Sequence, residues 1–198
     1  MSRYSTAHKA TTRARILAAS EQLIKDRGAE GASVEAVMRA AGLTVGGFYA
    51  HFGSKDELAR ESLLYGIERS FARLTAGLED LRGPAFAAAL VRRYLEQAQD
   101  PALENACPLT LLLPDVARAD DAFRTRFAER TAALLAGIED RLPAIVGMAP
   151  RDVALALFAA LSGAGAMARA APTARARARI AAATQAMLER MFVVAAQA

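Results

Sequence analysis

The sequence predicts an all-α fold: an N-terminal three-helix helix-turn-helix domain followed by a larger helical domain. Three observations lead there. Alanine supplies 49 of the 198 residues, while aromatic residues make up only 6%, so local propensity favours helix over strand. Apolar residues recur at i, i+3 and i+4 in block after block, and no stretch sustains a period-2 alternation. Glycine, proline and capping residues stand between the blocks.

The elements follow in order. The first helix spans about Thr11 to Arg27, with Ile16, Leu17, Leu23 and Ile24 on one face and the small Ser20 between them, and Gly28 stops it. Ser33 is the N-cap of a short second helix carrying Val34, Val37, Met38 and Ala41, and Gly42 ends it. Thr44 opens a third short helix with Val45, Phe48, Tyr49 and Phe52 at the same spacing, closed by Gly53. Ser54-Lys55-Asp56-Glu57 is a capping box. It opens a fourth helix through Leu64, Ile67, Phe71, Leu74 and Leu78 to about Leu81. Longer elements follow: Pro84 to Gln99, an apolar segment from Cys107 to Ala117, and a helix from Asp120 or Asp121 to Leu142. Arg151 to Arg169 and Thr173 to about Ala196 complete the chain. The change of scale at Gly53 divides it into residues 1–53 and 54–198.

Composition excludes several classes of function. One cysteine forms no internal disulfide, and one Cys with two His cannot complete a four-ligand zinc site. No metal and no cofactor are expected. Met1 to Arg15 is too polar for a signal peptide. The longest charge-free apolar stretch, Val153 to Ala168, is shorter than the ~20 residues of a membrane span. A cytoplasmic protein without membrane attachment is expected. His8 lies in the basic N-terminal segment and His51 in the third helix, so no His–nucleophile pair is evident. Glu79-Asp80, Asp120-Asp121 and Glu139-Asp140 read as caps or solvated faces. The chain is not expected to be an enzyme. Its net charge is +4, and residues 1–15 hold Arg3, Lys9, Arg13 and Arg15 with no acid. A polyanionic partner at that end is one reading, and a solvated tail the other.

Helices two and three, with the Gly42 turn between them, have helix-turn-helix proportions. The run Thr44-Val45-Gly46-Gly47-Phe48-Tyr49-Ala50-His51-Phe52-Gly53-Ser54-Lys55-Asp56-Glu57-Leu58 resembles the signature of the TetR family of bacterial one-component regulators. That resemblance implies a homodimer that binds double-stranded operator DNA, usually as a repressor, and a C-terminal domain that takes a small-molecule inducer. It implies DNA-binding roles for Ser33, Thr44, Val45, Gly46, Gly47, Tyr49, His51 and Lys55. Thr44 offers a hydroxyl at the start of the recognition helix, and Gly46 and Gly47 allow close approach to the groove. Tyr49, His51, Lys55 and Ser33 match positions that meet phosphates or base methyls. Packing between helices is the competing reading for Tyr49, His51 and the two glycines, while Phe48 and Phe52 read as core. Family members often carry a polar residue where this chain has Val45 and Gly47. Direct readout would then rest on Thr44, Tyr49 and apolar contact with thymine methyls. Arg39 and the basic arm would add phosphate contacts, which fix position rather than sequence.

Beyond residue 60, Ala106-Cys107-Pro108-Leu109 and Asp120-Asp121-Ala122-Phe123-Arg124 are similar to regulators of the N-ethylmaleimide-reductase repressor type. There a cysteine in the matching place senses electrophiles; a buried structural role for Cys107 stays open beside it. The expected pocket lining is Phe71, Phe86, Leu90, Tyr94, Cys107, Leu111, Phe127 and Phe158, which suits an apolar or electrophilic ligand better than a sugar or a charged metabolite. The last two helices carry Ala159, Ala160, Gly163, Gly165, Ala168, Ala182, Met187 and Met191, small or flexible residues suited to a four-helix dimer interface. A helical carrier or adaptor without DNA activity is the alternative.

Overall fold

The computed structural model describes residues 2–100 and 107–195, and those residues form helices and turns without a strand. The first helix, α1 (Ser2–Gly31), begins nine residues before its expected start at Thr11. No glycine or proline interrupts the sequence from Ser2 to Arg27, so the basic segment is helical rather than a loose tail. Gly28 breaks α1 where expected, with φ 74° and ψ 168°, a backbone state that side chains disfavour. Ser33 caps α2 (Val34–Ala40) by accepting from the Ala36 N–H at 3.2 Å. After the Gly42 turn (φ 68°) comes Val45–Ala50, which is a 3₁₀ segment and not the α-helix expected there. Two adjacent glycines, each costing roughly 1 kcal/mol in an α-helix, account for the tighter, shorter form.

The helix α3 (Lys55–Thr75) opens on its capping box. Ser54 Oγ accepts from the Glu57 N–H at 3.0 Å, and the Glu57 carboxylate reaches back to the Gly53 N–H at 2.8 Å. It ends at Thr75 instead of Leu81 because Gly77 takes φ 72°. Leu78 still enters the core, but from the turn. Then come α4 (Gly83–Gln99), α5 (Pro108–Arg118), α6 (Asp121–Ala136), α7 (Pro150–Ala170) and α8 (Ala174–Ala195). Asp120 caps α6 through the Phe123 N–H at 2.8 Å, and Thr173 caps α8 through the Ala176 N–H at 3.1 Å. Gly137 stops α6 short of Leu142, so Ile138 and Leu142 are buried from a 3₁₀ turn at Glu139–Arg141.

Two compact units divide between Ile67 and Glu68, inside α3, whereas Gly53 marks where α3 begins. In the first unit Ile16 and Leu17 of α1, Val37 and Met38 of α2, Phe48 and Phe52 are buried together with Leu58 of α3. A buried ion pair, Lys25 Nζ to Glu21 Oε1 at 2.6 Å, links successive turns of α1. Helix α3 passes Glu21 at Gly66, where a Cβ would lie only 2.9 Å from Glu21 Cγ. In the second unit α4, α7 and α8 pack mutually through Phe86, Leu90, Val91, Leu157, Leu161, Leu188 and Phe192, and α5 and α6 lean on α7. Helix α7 is long and apolar enough by composition to cross a membrane (mean hydropathy 1.6), but Val153, Leu157 and Leu161 on it are core residues. Two arginines close the end of α3. Arg93 donates to the Leu74 and Ala76 carbonyls at 3.0 and 2.6 Å, and Arg141 donates to the Leu78 carbonyl while lying 3.9 Å over the Phe86 ring.

Removing one member of a buried ion pair strands the other. Glu21→Ala should therefore lower the unfolding free energy by about 3–5 kcal/mol, read from the urea midpoint. A loss below about 1 kcal/mol would show that Lys25 finds water on relaxation instead of remaining a buried charge.

Candidate functional site

The 3₁₀ segment has an inner and an outer face. Phe48 and Phe52 stack at 5.9 Å between centroids, both 1% exposed, and anchor the segment against Met38 and the rest of the first-unit core. Arg13 of α1 lies 4.6 Å over the Phe52 ring, and Tyr49 meets the edge of Phe48 at 5.1 Å. The outer face presents Thr44, Val45 (43% exposed), Gly46 and Tyr49 (75% exposed). Thr44 stands at the N-cap position, yet its hydroxyl makes no capping bond. Nothing lies within 4 Å of where a Cβ at Gly46 would be, and Gly47 is half-buried with only Met38 Cε nearby, at 3.7 Å. Gly46 is therefore not a packing requirement of this fold. Ser33 is half-buried in its capping role, and Lys55 is exposed in the first turn of α3.

Charge around this face is partly committed. Arg15 donates to the Ala41 carbonyl at 2.7 Å, clasping α1 to the end of α2, and Arg13 reaches Glu61 at 3.5 Å as well as Phe52. Of the basic residues proposed for phosphate contacts, Lys9 and Arg39 stay exposed. His51 is half-buried, and its Nδ1 is enclosed without a hydrogen-bond partner. Burial first, then the positive charges of Lys9, Arg13 and His8, hold its pKa below the ordinary 6.5. His51 is thus a neutral imidazole at neutral pH.

Protonation would place a second N–H where no acceptor waits. Both forms are neutral well above pH 6.5, so His51 has no effect on stability there. As pH falls below 6.5 the unfolded chain takes up this proton first and stability drops. The melting temperature should decline from pH 7 to pH 5, and His51→Gln should make that decline shallower; an unaltered slope would place the imidazole in free solvent.

Two neighbouring hollows lie among the described residues of the second unit. An apolar cleft of about 450 Å³ opens among α5, α6 and α7. Beside it is a space of about 10 Å³ bordered by Tyr94, Cys107, Thr110, Gly165 and Arg169, room for about one water. Among the residues expected to line a pocket, Phe127 and Phe158 border the cleft, and Tyr94 and Cys107 border the small space. Phe71 packs edge-on against Phe158 at 6.4 Å, Leu111 is half-buried away from both hollows, and Phe86 and Leu90 are sealed in the core. Periodicity did not single out Leu109, Leu113, Thr131, Leu155, Ser162 or Arg169. Cys107 occupies the N-cap position of α5 and is half-buried. Among the described residues no three His, Cys, Asp or Glu side chains gather as metal ligands would.

Residues 16–61 match the profile of bacterial regulatory proteins, tetR family. The HTH-type transcriptional regulator UidR of Escherichia coli (strain K12) is 33% identical over 70 residues, 35% of this chain and 36% of that one. The match thus spans about a third of the curated relatives' length. Among solved structures, a TetR-family transcriptional regulator from Rhodococcus sp. is 25% identical with a TM-score of 0.67, covering 90% of this chain and 99% of its own. The reduced form of Escherichia coli NemR is 24% identical with a TM-score of 0.67, over 88% and 95%. A transcriptional regulator from Saccharomonospora viridis in complex with choline is 18% identical with a TM-score of 0.68, over 91% and 96%. Residues 16–61 are thus similar to the tetR family of bacterial regulatory proteins, and the chain as a whole has the fold of TetR-family transcriptional regulators.

Proposed function

We propose that this chain is a cytoplasmic one-component regulator, a repressor, that binds palindromic operator DNA as a homodimer and is released by a small apolar ligand. The observation that carries the reading is the two-sided segment after Gly42. Its aromatic face is locked inward, while Thr44, Val45 and Gly46 are left outward with no side-chain task in the fold and Tyr49, edge-on to Phe48, stays 75% exposed. Residues 1–53 do the DNA binding in this reading, and 54–198 the ligand binding and dimerisation. Thr44 and Tyr49 supply hydrogen bonds to bases or phosphates, and Val45 supplies apolar contact to thymine methyls. Gly46 and Gly47 keep the backbone close to the groove. Lys55, His51 and Ser33 hold phosphates, with His51 acting as a neutral donor and Lys55 as a charge.

The dimer forms through outward faces of α7 and α8. Met167 and Met187 are exposed apolar residues there and Ala182 is exposed on α8, whereas Ala159 and Gly163, expected at this interface, border the α5–α6–α7 cleft. Gly165 and Ala168, expected at this interface, face inward instead: a Cβ at Gly165 would come within 2.9 Å of Thr110, and Ala168 is 1% exposed. Such a dimer sets two recognition segments about 34–36 Å apart, one turn of DNA. The ligand occupies the α5–α6–α7 cleft and acts by favouring dimer states whose segments no longer match that turn. Cys107, at the N-cap of α5, is the place where an electrophile would enter the same response.

Gel retardation on DNA upstream of the chain's own reading frame tests the interface. A Cβ at Gly46 has nothing within 4 Å, so Gly46→Val should leave the melting temperature within a few degrees while weakening binding at least tenfold. Lys55→Ala should reduce the salt slope by about one. Undiminished binding by both variants would move the interface elsewhere, and a chain that retards no DNA at any salt is the helical carrier.

Sedimentation at micromolar concentration should give twice the 21.0 kDa chain mass, and Met167→Glu with Met187→Glu should return it to one chain. A wild-type monomer would contradict the dimer.

A further inference from the structure

Among the described residues six buried side-chain polar atoms lack a hydrogen-bond partner, and three of them border the two hollows of the second unit: Tyr94 Oη, Thr131 Oγ1 and Arg169 Nε. Buried polar groups are rarely left unpaired, so Tyr94 and Arg169 on the small space, with Thr131 on the cleft beside it, point to an occupant that pairs with them. Thr110 borders both spaces, which makes them neighbours along one wall. Its own hydroxyl is already committed to the Cys107 carbonyl at 2.8 Å. Gly165 lets α7 approach, since a Cβ there would lie 3.3 Å from Tyr94 Oη. Tyr94 is 4% exposed, and burial, followed by the neighbouring Cys107, raises its pKa. The phenol keeps its proton and can donate it. Among the described residues bordering either space Arg169 is the charged side chain, and none of them is a carboxylate.

We propose that the ligand of this cleft is an apolar carboxylic acid. Its hydrocarbon or aryl body lies against Leu109, Phe127 and Phe158. One carboxylate oxygen enters the small space and accepts from Tyr94 Oη and the Arg169 guanidinium, a charge-assisted pairing. Thr131 borders the cleft as a further polar contact. An Arg with no acid beside it disfavours cationic ligands of the same shape. This inference rests on the reading of the cleft as the ligand site, and refines the expectation of a purely apolar ligand.

Calorimetry on the full chain with decanoate, 1-decanol and decylamine separates the two. Wild type should bind decanoate at least tenfold tighter than decanol, and decylamine weakest. Arg169→Gln and Tyr94→Phe, checked as folded by melting temperature, should each erase most of that preference by bringing decanoate affinity down toward that of decanol. Equal affinity for decanoate and decanol, or a preference that survives Arg169→Gln, would reduce the small space to a water site and overturn the carboxylate proposal with the cleft intact. Binding of none of the three probes to wild type would overturn the cleft reading together with the proposal.

Discussion

The stacked pair Phe48 and Phe52 holds the segment Val45–Ala50, and the proposed DNA interface depends on it. Val45–Ala50 is six residues long, contains two adjacent glycines and is wound as 3₁₀. It has little helical stability of its own. What fixes it is burial: both rings are 1% exposed, and Arg13 covers Phe52 from α1. Burying two such rings contributes several kcal/mol, more than the glycines cost. The consequence is geometric. With the aromatic face immobilised, Thr44, Val45, Gly46 and Tyr49 are presented outward in a set order, and only their chemistry remains to be chosen.

That chemistry is spare. Val45 and the two glycines offer no side-chain donor, so the outer face has Thr44 and Tyr49 for hydrogen bonds. The surrounding charge is used in two ways. Arg13 and Arg15 are spent inside the fold, one on Phe52 and Glu61 and the other on the Ala41 carbonyl. Lys9, Arg39 and Lys55 remain outward. The basic N-terminal segment is thus both a structural clasp and a source of positive potential.

Features set by neighbouring residues were legible in the sequence. Ser33 caps α2 and Asp120, one of the two candidates, caps α6, while Thr173, the expected start of the last helix, caps it; Gly28 and Gly42 turn the chain where their freedom was needed. Ends decided by distant partners were not. Leu78 and Leu81 continue the rhythm of α3, but Gly77 stops it, and Arg93 and Arg141 from far along the chain take up its carbonyls. Ile138 and Leu142 likewise continue α6 on paper and are buried from a turn. The hollows were harder still. An apolar stripe looks the same whether it meets a helix or a void, so Phe86 and Leu90 could not be told from Phe127 and Phe158. Arg169, at the charged end of an apolar helix, reads from sequence as a C-terminal basic residue complementing the dipole. Its enclosed Nε is visible only once Tyr94 and Gly165 are in place.

Hydrogen exchange of the full chain, with and without duplex DNA from upstream of its reading frame, tests the central claim most directly. The account predicts that DNA slows exchange in peptides covering residues 33–55, with the largest change between Thr44 and His51. Unchanged exchange there, with protection confined to residues beyond 68, would contradict it.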